Sequence, residues 1–273
     1  MRPLSHMPIS AARAMRGVFA DIDDTITTEG RLPGSSYQAL ETLKNAGFAV
    51  VLITGRPAGW CDMIARFWPV DGVVGENGAF YFAYDHKTKQ MLRRFVQSEA
   101  ERVEGRKRLE KIKTRVLAEV PGSAVASDQL YRESDLAIDF CEDVPALPQE
   151  AIDQIAAIYA QEGAMAKISS IHVNGWYGDY DKLTMTRIFA RERLGLELDD
   201  AKDLFVYCGD SPNDAPMFGY FPNACGVANV RDQEKLMEHL PAYIAQSRGG
   251  EGFVEICNLL LEAGQQPASA MNI

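Results

Sequence analysis

The sequence predicts an α/β fold that combines a parallel-sheet core with an inserted α+β domain. Short apolar runs alternate with helical patterns in residues 17–84 and again from residue 181 onward, and this alternation favours a parallel sheet with right-handed crossovers. Between residues 85 and 180 the order changes to α-β-β-α-β-β, which suits an open antiparallel sheet with two helices on one face. We therefore predict a core of residues 1–84 and 181–273, and an inserted domain of residues 85–180.

The first part of the core is predicted to contain four strands and two helices. The apolar, β-rich runs are residues 17–22, 48–53, 73–74 and 79–84. A helix is predicted over residues 35–46, with Ser35 and Gln38 as a capping box and Gly47 just past its end. Pro57 can begin the second helix, because its missing N–H costs nothing in the first turn.

Helices and strands are also predicted for the insert and for the second part of the core. In the insert, helices are predicted over residues 98–120 and 148–161, and strands over residues 124–129, 136–140, 164–170 and 172–177. After it come a helix (182–194), strands (204–208, 224–228 and 242–245), helices (232–239 and 253–263) and a frayed tail (265–273).

Composition indicates a globular protein, and the net charge disfavours a nucleic-acid-binding protein. Of the 273 residues, 47% are hydrophobic and 24% are charged, as in ordinary globular proteins. The 28 basic and 38 acidic residues give a net charge of −10, so no nucleic-acid partner is expected, because a polyanion would be repelled. A small anionic substrate stays compatible with this charge, since a metal ion and a few donors can reverse the sign inside one pocket.

Cysteine usage and hydropathy indicate a cytoplasmic protein. The five cysteines are dispersed and odd in number, which does not fit a disulfide framework or a Cys-x-x-Cys metal site. Residues 1–17 lack the apolar stretch of a signal peptide, and no run reaches the ~18 apolar residues of a membrane helix. We expect no membrane partner, and the sequence leaves the oligomeric state open.

Acidic residues follow directly on the first predicted strand, in the run Asp21-Ile22-Asp23-Asp24-Thr25. The binding crevice of an open α/β sheet lies beyond the carboxyl ends of its strands, and strand alternation places Asp21 and Asp23 on one side. Paired carboxylates are unfavourable unless a cation neutralises them, and such hard oxygen ligands suit Mg²⁺. A polar loop or a helix cap is the alternative explanation for these residues.

Other strand ends carry further polar residues. Thr54-Gly55-Arg56-Pro57 combines a hydroxyl, backbone N–H groups and a helix start, which together can bind an anion. Asp210 and Asp214 follow the strand at 204–208, and Lys182 begins the helix after the insert. Each of these alone is equally explained as a helix cap or a solvated side chain. Together they would deliver acid, hydroxyl and a cationic group to one sheet edge.

As a set, these motifs resemble those of the haloacid dehalogenase superfamily of phosphohydrolases. The family's motifs occur here in its order as Asp21/Asp23/Thr25, Thr54, Lys182, and Gly209-Asp210 with Asp214, across residues 17–263. The resemblance implies a Rossmann-like core. The insert is similar to the C2-type cap of the Cof-like, sucrose-phosphate, mannosyl-phosphoglycerate and trehalose-phosphate phosphatases. One departure is Asp24, where many members have Gly.

The resemblance implies a phosphoryl transfer in two steps. Asp21 would attack phosphorus and form an aspartyl-phosphate, while Asp23 would protonate the leaving oxygen and then take a proton from the attacking water. Mg²⁺ would be held by Asp21 and Asp210, with the backbone carbonyl of Asp23. Asp214 would position Lys182 or metal-bound waters. The predicted metal site is therefore Asp21, Asp23, Asp210 and Asp214.

The same resemblance assigns the groups that hold the phosphate. Thr54 and backbone N–H groups near Gly55 and Asp24 would bind the phosphoryl oxygens, and Lys182 would steady the nucleophile and the transferring group. Asn213 could contact the phosphate as well.

The insert would decide the substrate, because a closing cap excludes water and adds specificity contacts. The candidate substrate-binding residues flank or occupy the strand-like stretches of the insert: Arg132, Glu133, His172, Asn174 and Trp176. Trp and Asn together would suit a sugar's hydroxyl face. Each of these candidates could instead be a core or surface residue. The turn Glu76-Asn77-Gly78 could touch substrate, and a plain turn is an equal alternative.

The resulting prediction is a Mg²⁺-dependent phosphatase acting on a small phosphorylated metabolite, foremost a sugar phosphate. One alternative is a phosphosugar mutase of the phosphomannomutase type, which shares this core and cap. Another is a non-catalytic binding protein on the same fold, which the full set of catalytic carboxylates disfavours. The sequence does not name the substrate.

Overall fold

The computed structural model describes residues 1–265, and the predicted tail beyond residue 265 lies outside them. The strands are β1 (Arg2–Pro3), β2 (Gly17–Ala20), β3 (Ala49–Ile53), β4 (Gly72–Gly75), β5 (Phe80–Asp85), β6 (Gln90–Phe95), β7 (Ala124–Val125), β8 (Leu136–Asp139), β9 (Met165–Ile168), β10 (His172–Trp176), β11 (Phe205–Gly209), β12 (Cys225–Gly226) and β13 (Tyr243–Ile244). The α-helices are α1 (Ile9–Ala14), α2 (Gly34–Asn45), α3 (Ala58–Phe67), α4 (Glu99–Glu119), α5 (Gln149–Gln161), α6 (Lys182–Phe189), α7 (Leu198–Ala201), α8 (Ala215–Tyr220), α9 (Val230–Gln233) and α10 (Gly249–Gln265). None of these helices is long and apolar enough to cross a membrane.

The described chain divides into two compact units. Unit 1 comprises residues 1–51, 198–210 and 214 onward, and unit 2 comprises residues 52–197 and 211–213. The boundary falls within β3, whose first three residues belong to unit 1 and whose last two belong to unit 2. The division at residues 85 and 180 was drawn from the change of pattern along the sequence, and it stays a prediction.

Unit 1 is built on parallel strands in the order β1-β13-β12-β11-β2. All four residues of β2 and all five of β11 are buried, as expected for strands covered on both faces. Cys208 on β11 pairs with Ala20 on β2, so the two strands end side by side. Helix α10 packs on α1 and α2. The predicted parallel sheet is confirmed for these strands.

Part of unit 2 departs from the parallel expectation. Strands β4, β5 and β6 pair antiparallel, in chain order. Only short turns separate them, which leaves no room for the crossover helix that parallel pairing needs. Strand β6 was not predicted, because its residues are mostly exposed or polar and lack a clear alternation.

The elements predicted for the insert all form, in the order α-β-β-α-β-β. Strands β7, β8, β10 and β9 make an antiparallel sheet in that order. Helices α4 and α5 pack against it around a shared apolar cluster that includes Ile112, Ile155 and Val173. With this sheet and the parallel strands of unit 1, the predicted fold class is confirmed.

Two local predictions about helices were wrong. The box of Ser35 and Gln38 is absent from α2, whose N-cap is Pro33 and has no side-chain capping bond. The helix begins at Gly34, so Ser35 lies inside the first turn and cannot cap it. The predicted helix at 232–239 is shorter, because α9 passes into a 3₁₀ turn that ends at Leu236. Gly47 does follow α2 with a positive φ of 88°, as predicted.

Candidate active site

Three buried carboxylates meet at the ends of β2 and β11 in unit 1. Asp21, Asp210 and Asp214 each place a carboxylate oxygen within 4.8 Å of the others, and each residue is at most 5% exposed. Asp21 is held beside β11 because its N–H donates to the carbonyl of Cys208 over 2.9 Å. The structure therefore brings together three of the four acids that the sequence predicted for the metal site.

Hydrogen bonds fix the direction of these carboxylates. The Tyr207 hydroxyl donates to Oδ1 of Asp214 over 2.5 Å, and the Asp210 backbone N–H donates to Oδ2 of Asp214 over 3.0 Å. The Thr25 hydroxyl donates to Oδ1 of Asp210 over 3.3 Å. Burial, followed by the charge of Asp214, raises the pKa of Tyr207 well above its usual range, so its hydroxyl stays a donor. Gly209 is required here, because a Cβ would lie 2.5 Å from Oδ2 of Asp214.

The donor set fits a hard divalent cation. Three carboxylates in so little space repel one another in a buried environment unless a positive charge compensates them, and Mg²⁺ prefers such oxygen ligands. Asp23 is half-buried and is not one of the three clustered acids. A role through its backbone carbonyl therefore stays a prediction.

The loop after Asp21 shows why an aspartate is tolerated at position 24. Asp24 has a φ of 55°, a left-handed conformation that Gly adopts freely and Asp adopts more easily than most residues. Its N–H donates to the Thr27 hydroxyl over 2.9 Å. That N–H, which we expected to bind phosphate, is therefore engaged within its own loop in this structure.

In unit 2, the residues around Gly55 form a tight polar group. Thr54 is fully buried, and its hydroxyl accepts the N–H of Arg56 over 3.0 Å. A Cβ on Gly55 would lie 3.1 Å from Nδ2 of Asn77 and 3.6 Å from Oδ1 of Asn174. Gly55 therefore lies close to the amides of Asn77 and Asn174, and a larger residue at position 55 would crowd them.

Lys182 and Asn213 are also buried in unit 2. Lys182 is 4% exposed and is the first residue of α6, whose N-cap is Asp181. A solvated surface lysine, which was the plain alternative, is excluded by this burial. Asn213 is 7% exposed, and its Oδ1 accepts the Ser211 hydroxyl over 2.8 Å.

Arg132, predicted to bind substrate, is held in an ion-pair network. Its side chain is fully buried between Asp128 and Asp135, which it contacts at 2.9–3.1 Å. It also donates to the carbonyl of Gly55 over 2.9 Å. In this structure its guanidinium therefore positions the Gly55 backbone.

His172, Asn174 and Trp176 all lie on β10, and all are buried. Nε2 of His172 lies 2.9 Å from Glu142, and Asn174 donates from Nδ2 to Asp135 over 2.9 Å. Trp176 is 1% exposed and stacks on Tyr180 with ring centres 5.5 Å apart. The substrate roles of these three residues stay predictions.

Glu142 joins His172 and Arg56. Both guanidinium nitrogens of Arg56 donate to the Glu142 carboxylate, over 2.6 and 3.2 Å. Burial raises the pKa of Glu142, but the bonds from His172 and Arg56 outweigh burial and lower it to about 2.

Two residues shape these sites in ways that sequence reasoning did not predict. Tyr207 fixes Asp214, yet a tyrosine in a buried strand is indistinguishable from an ordinary core residue in the sequence. Glu76, which we predicted as part of a turn that could touch substrate, is fully buried and accepts three backbone N–H groups. The turn signal Glu-Asn-Gly was visible, but nothing in it showed that the acid would be internal.

The parallel sheet and the buried acidic cluster define a Rossmann-like α/β protein whose three clustered carboxylates, at the carboxyl ends of its strands, could hold a cation. Residues 18–133 match the family model of the haloacid dehalogenase-like hydrolases. The resemblance that the motifs predicted is thereby confirmed over this segment, which carries Asp21, Asp23 and Thr54. No curated protein sequence matches this chain significantly.

Solved structures with the same fold cover almost the whole chain. A Thermoplasma acidophilum protein shares 18% identity and a TM-score of 0.67, covering 90% of this chain and 98% of its own. A sugar phosphatase of haloacid dehalogenase subclass IIB shares 14% identity and a TM-score of 0.59, covering 89% and 98%. The sucrose-phosphatase of Synechocystis, solved with sucrose and phosphate, shares 16% identity and a TM-score of 0.59, covering 90% and 98%. At these identities the likeness concerns the fold.

Proposed function

We propose that this protein is a Mg²⁺-dependent phosphatase that hydrolyses a small phosphorylated metabolite, foremost a sugar phosphate, through an aspartyl-phosphate. The observation that carries the proposal is the buried cluster of Asp21, Asp210 and Asp214 at the ends of two adjacent parallel strands. The sugar phosphatases among the proteins of similar fold support this substrate class. We expect the protein to act in the cytoplasm.

Asp21 is the proposed nucleophile. One of its carboxylate oxygens attacks phosphorus, and the bond from phosphorus to the ester oxygen breaks, which leaves an acyl phosphate on Asp21. Attack on a dianion needs a nucleophile held in place and shielded from charge repulsion. Asp21 has little freedom, because it is 5% exposed and its own N–H is fixed to β11.

Asp23 is the proposed general acid and base. It gives a proton to the departing ester oxygen, and it then takes one from the water that attacks the acyl phosphate. The second step restores the Asp21 carboxylate and releases inorganic phosphate. The half-buried position of Asp23, outside the carboxylate cluster, suits a group that exchanges protons rather than one that binds a cation through its side chain.

Asp21, Asp210 and Asp214 would hold the cation, with Thr25 and Tyr207 donating to their carboxylates. A bound Mg²⁺ screens the nucleophile from the phosphate and withdraws charge from the transition state.

Four residues of unit 2 are proposed to handle the phosphoryl group. The Thr54 hydroxyl and the Gly55 N–H donate to its oxygens, as the start of a helix commonly does for anions. Lys182 supplies a positive charge, and Asn213 supplies an amide donor. Arg132 acts as a positioning residue, because it donates to the carbonyl of Gly55 from a fully buried position.

The direct test is phosphate release by the full-length protein from a panel of sugar phosphates, phosphoglycerates and one aryl phosphate, with Mg²⁺ and without a bisphosphate activator. We expect phosphate release that stops when a chelator is added. We also expect Asp21→Asn to abolish turnover, since the amide keeps the shape of the side chain but is not a nucleophile. Phosphoryl return to the sugar only with bisphosphate present would instead identify a mutase.

The matched control is Asp203→Asn, which makes the same chemical change at an exposed position of unit 1. We expect this variant to keep full activity. Near-normal turnover by a folded Asp21→Asn variant would overturn the assignment of the nucleophile.

A further inference from the structure

We propose that Asn77 binds a hydroxyl group of the leaving alcohol, so that the preferred substrates are phosphate monoesters of polyhydroxylated alcohols. This inference rests on the proposed phosphatase function and adds to it a residue that reads the substrate. Three observations, all within unit 2, support it. They are the backbone conformation of the loop between β4 and β5, the burial of the Asn77 amide, and the neighbours of that amide.

The backbone of this loop is strained. Glu76, Asn77 and Gly78 have φ values of 44°, 53° and 107°, so three consecutive residues lie in the left-handed region. Gly and Asn tolerate that region, whereas Glu does not adopt it readily. A conformation of this kind persists only where the surrounding structure holds it in place.

The Glu76 side chain supplies that hold. Its Oε1 accepts the N–H groups of Ala58 and Glu133 over 3.0 and 2.9 Å, and its Oε2 accepts the N–H of Ser134 over 2.6 Å. Three backbone bonds to one buried carboxylate fix the start of the loop. The backbone of Asn77, the next residue, is therefore held in place, and this limits the directions that its side chain can take.

The other side of the loop is pressed against the start of α6. A Cβ on Gly78 would lie 2.0 Å from the carbonyl of Asp181 and 2.9 Å from the backbone nitrogen of Lys182. The Asn77 N–H donates to the carbonyl of Thr54 over 3.1 Å. The backbone of Asn77 thus lies between the segments that carry Thr54 and Lys182, the residues proposed to handle the phosphoryl group.

The Asn77 amide is not used inside the protein. The residue is 3% exposed, yet neither Nδ2 nor Oδ1 has a hydrogen-bond partner among the described residues. A buried amide without partners is costly, and the strained backbone of the neighbouring Glu76 adds to the cost of this loop. Both features are explained if the amide is held ready for a ligand.

The chemistry of the neighbours specifies the ligand. Asn174 uses Nδ2 to donate to Asp135, while its Oδ1, an acceptor, lies beside Gly55, as does Nδ2 of Asn77. A donor and acceptors side by side match a hydroxyl group, which both donates and accepts. The phosphoryl dianion only accepts, so it would leave the amide oxygens without partners. A hydroxyl near the phosphate ester therefore matches these amides better than a phosphoryl oxygen does.

The test compares glycerol 3-phosphate with propyl phosphate, which have the same carbon chain and differ in the two hydroxyl groups. Asn77→Gly removes the amide while its backbone accepts the left-handed conformation, and Asn77→Asp keeps the shape but removes the donor. The control is Lys89→Gly, which places glycine at another position of positive φ (56°), exposed in the turn between β5 and β6.

We expect the wild type to prefer glycerol 3-phosphate in kcat/KM, and both Asn77 variants to lose about tenfold of that preference, which is the effect of one hydrogen bond to a substrate hydroxyl. Lys89→Gly, which lies outside the site, should change neither kcat/KM value. A preference that is absent in the wild type, or that persists in both folded variants, would overturn the role of Asn77. If the wild type releases no phosphate from these esters or from an aryl phosphate, the proposed function fails, and this inference fails with it.

Discussion

The hydroxyl of Tyr207 donates a hydrogen bond to Oδ1 of Asp214 over 2.5 Å, and both residues are buried. The second oxygen of Asp214 accepts the backbone N–H of Asp210. Both donors come from β11 and the residue that follows it, so strand and carboxylate are fixed to each other. Partners of this kind orient metal ligands and commonly contribute a factor of about 10–100 to metal affinity.

Replacing Tyr207 with Phe should therefore weaken Mg²⁺ binding by about tenfold without unfolding the protein. The ring stays in the core, and only the bond that orients Asp214 is lost. Titration calorimetry with Mg²⁺ alone measures this effect without relying on catalysis.

The matched control for Tyr207→Phe is Tyr220→Phe, which removes a Tyr–Asp bond of 2.8 Å to Asp199 at an exposed position of the same unit. It should leave the Mg²⁺ affinity unchanged. Equal affinities of the wild type and Tyr207→Phe would show that Asp214 needs no orienting partner.

Replacing Arg132 with Met should lower the free energy of unfolding by about 3 kcal/mol, since it leaves two buried carboxylates short of their partner. Arg191→Met breaks an ion pair with Glu197 in which both side chains are more than half exposed, and it should cost less than about 1 kcal/mol. Urea denaturation of both variants gives the comparison. A similar small loss in both would mean that the buried network around Arg132 contributes little.

Glu142 predicts a specific dependence of stability on pH. Its pKa falls from an ordinary 4.5 to about 2 in the folded protein, so its charged form stabilises the fold above the unfolded pKa. That contribution is lost as the pH falls from 4.5 toward 2. Glu142→Gln has no such titration. Between about pH 6 and pH 3, the wild type should therefore lose on the order of 1–2 kcal/mol more than the variant. Parallel pH profiles of unfolding would disprove the depressed pKa.

The acidic cluster was predictable because a parallel sheet brings the ends of its strands to one edge, and Asp21, Asp210 and Asp214 each follow a strand end closely. A residue that directly follows a parallel strand is therefore predicted to lie at this edge, even when the strands are far apart along the chain. The role of Tyr207 could not be predicted, because strand periodicity does not distinguish a tyrosine that packs from one that also donates a hydrogen bond.

For the candidate residues of the insert, the sequence could not show which side chains are used inside the protein. Arg132, His172, Asn174 and Trp176 were candidates because they flank or occupy predicted strands of the insert, yet ion pairing and burial use much of their polar chemistry inside the protein. Asn77 was predicted as part of a turn that could touch substrate, with a plain turn as an equal alternative. The loop that carries it is held by Glu76, which bonds to residues 58, 133 and 134, and no local sequence pattern predicts such distant contacts.

The proposed aspartyl-phosphate mechanism is tested by looking for the phosphoryl group on Asp21. The full-length protein is mixed with Mg²⁺ and its best sugar phosphate, quenched in acid during the first turnover, digested, and analysed by mass spectrometry. We expect a phosphorylated peptide whose modified residue is Asp21, formed as fast as the alcohol is released and absent from Asp21→Asn. Rapid turnover with no phosphoryl group on this peptide, or with the group on another residue, would contradict this mechanism.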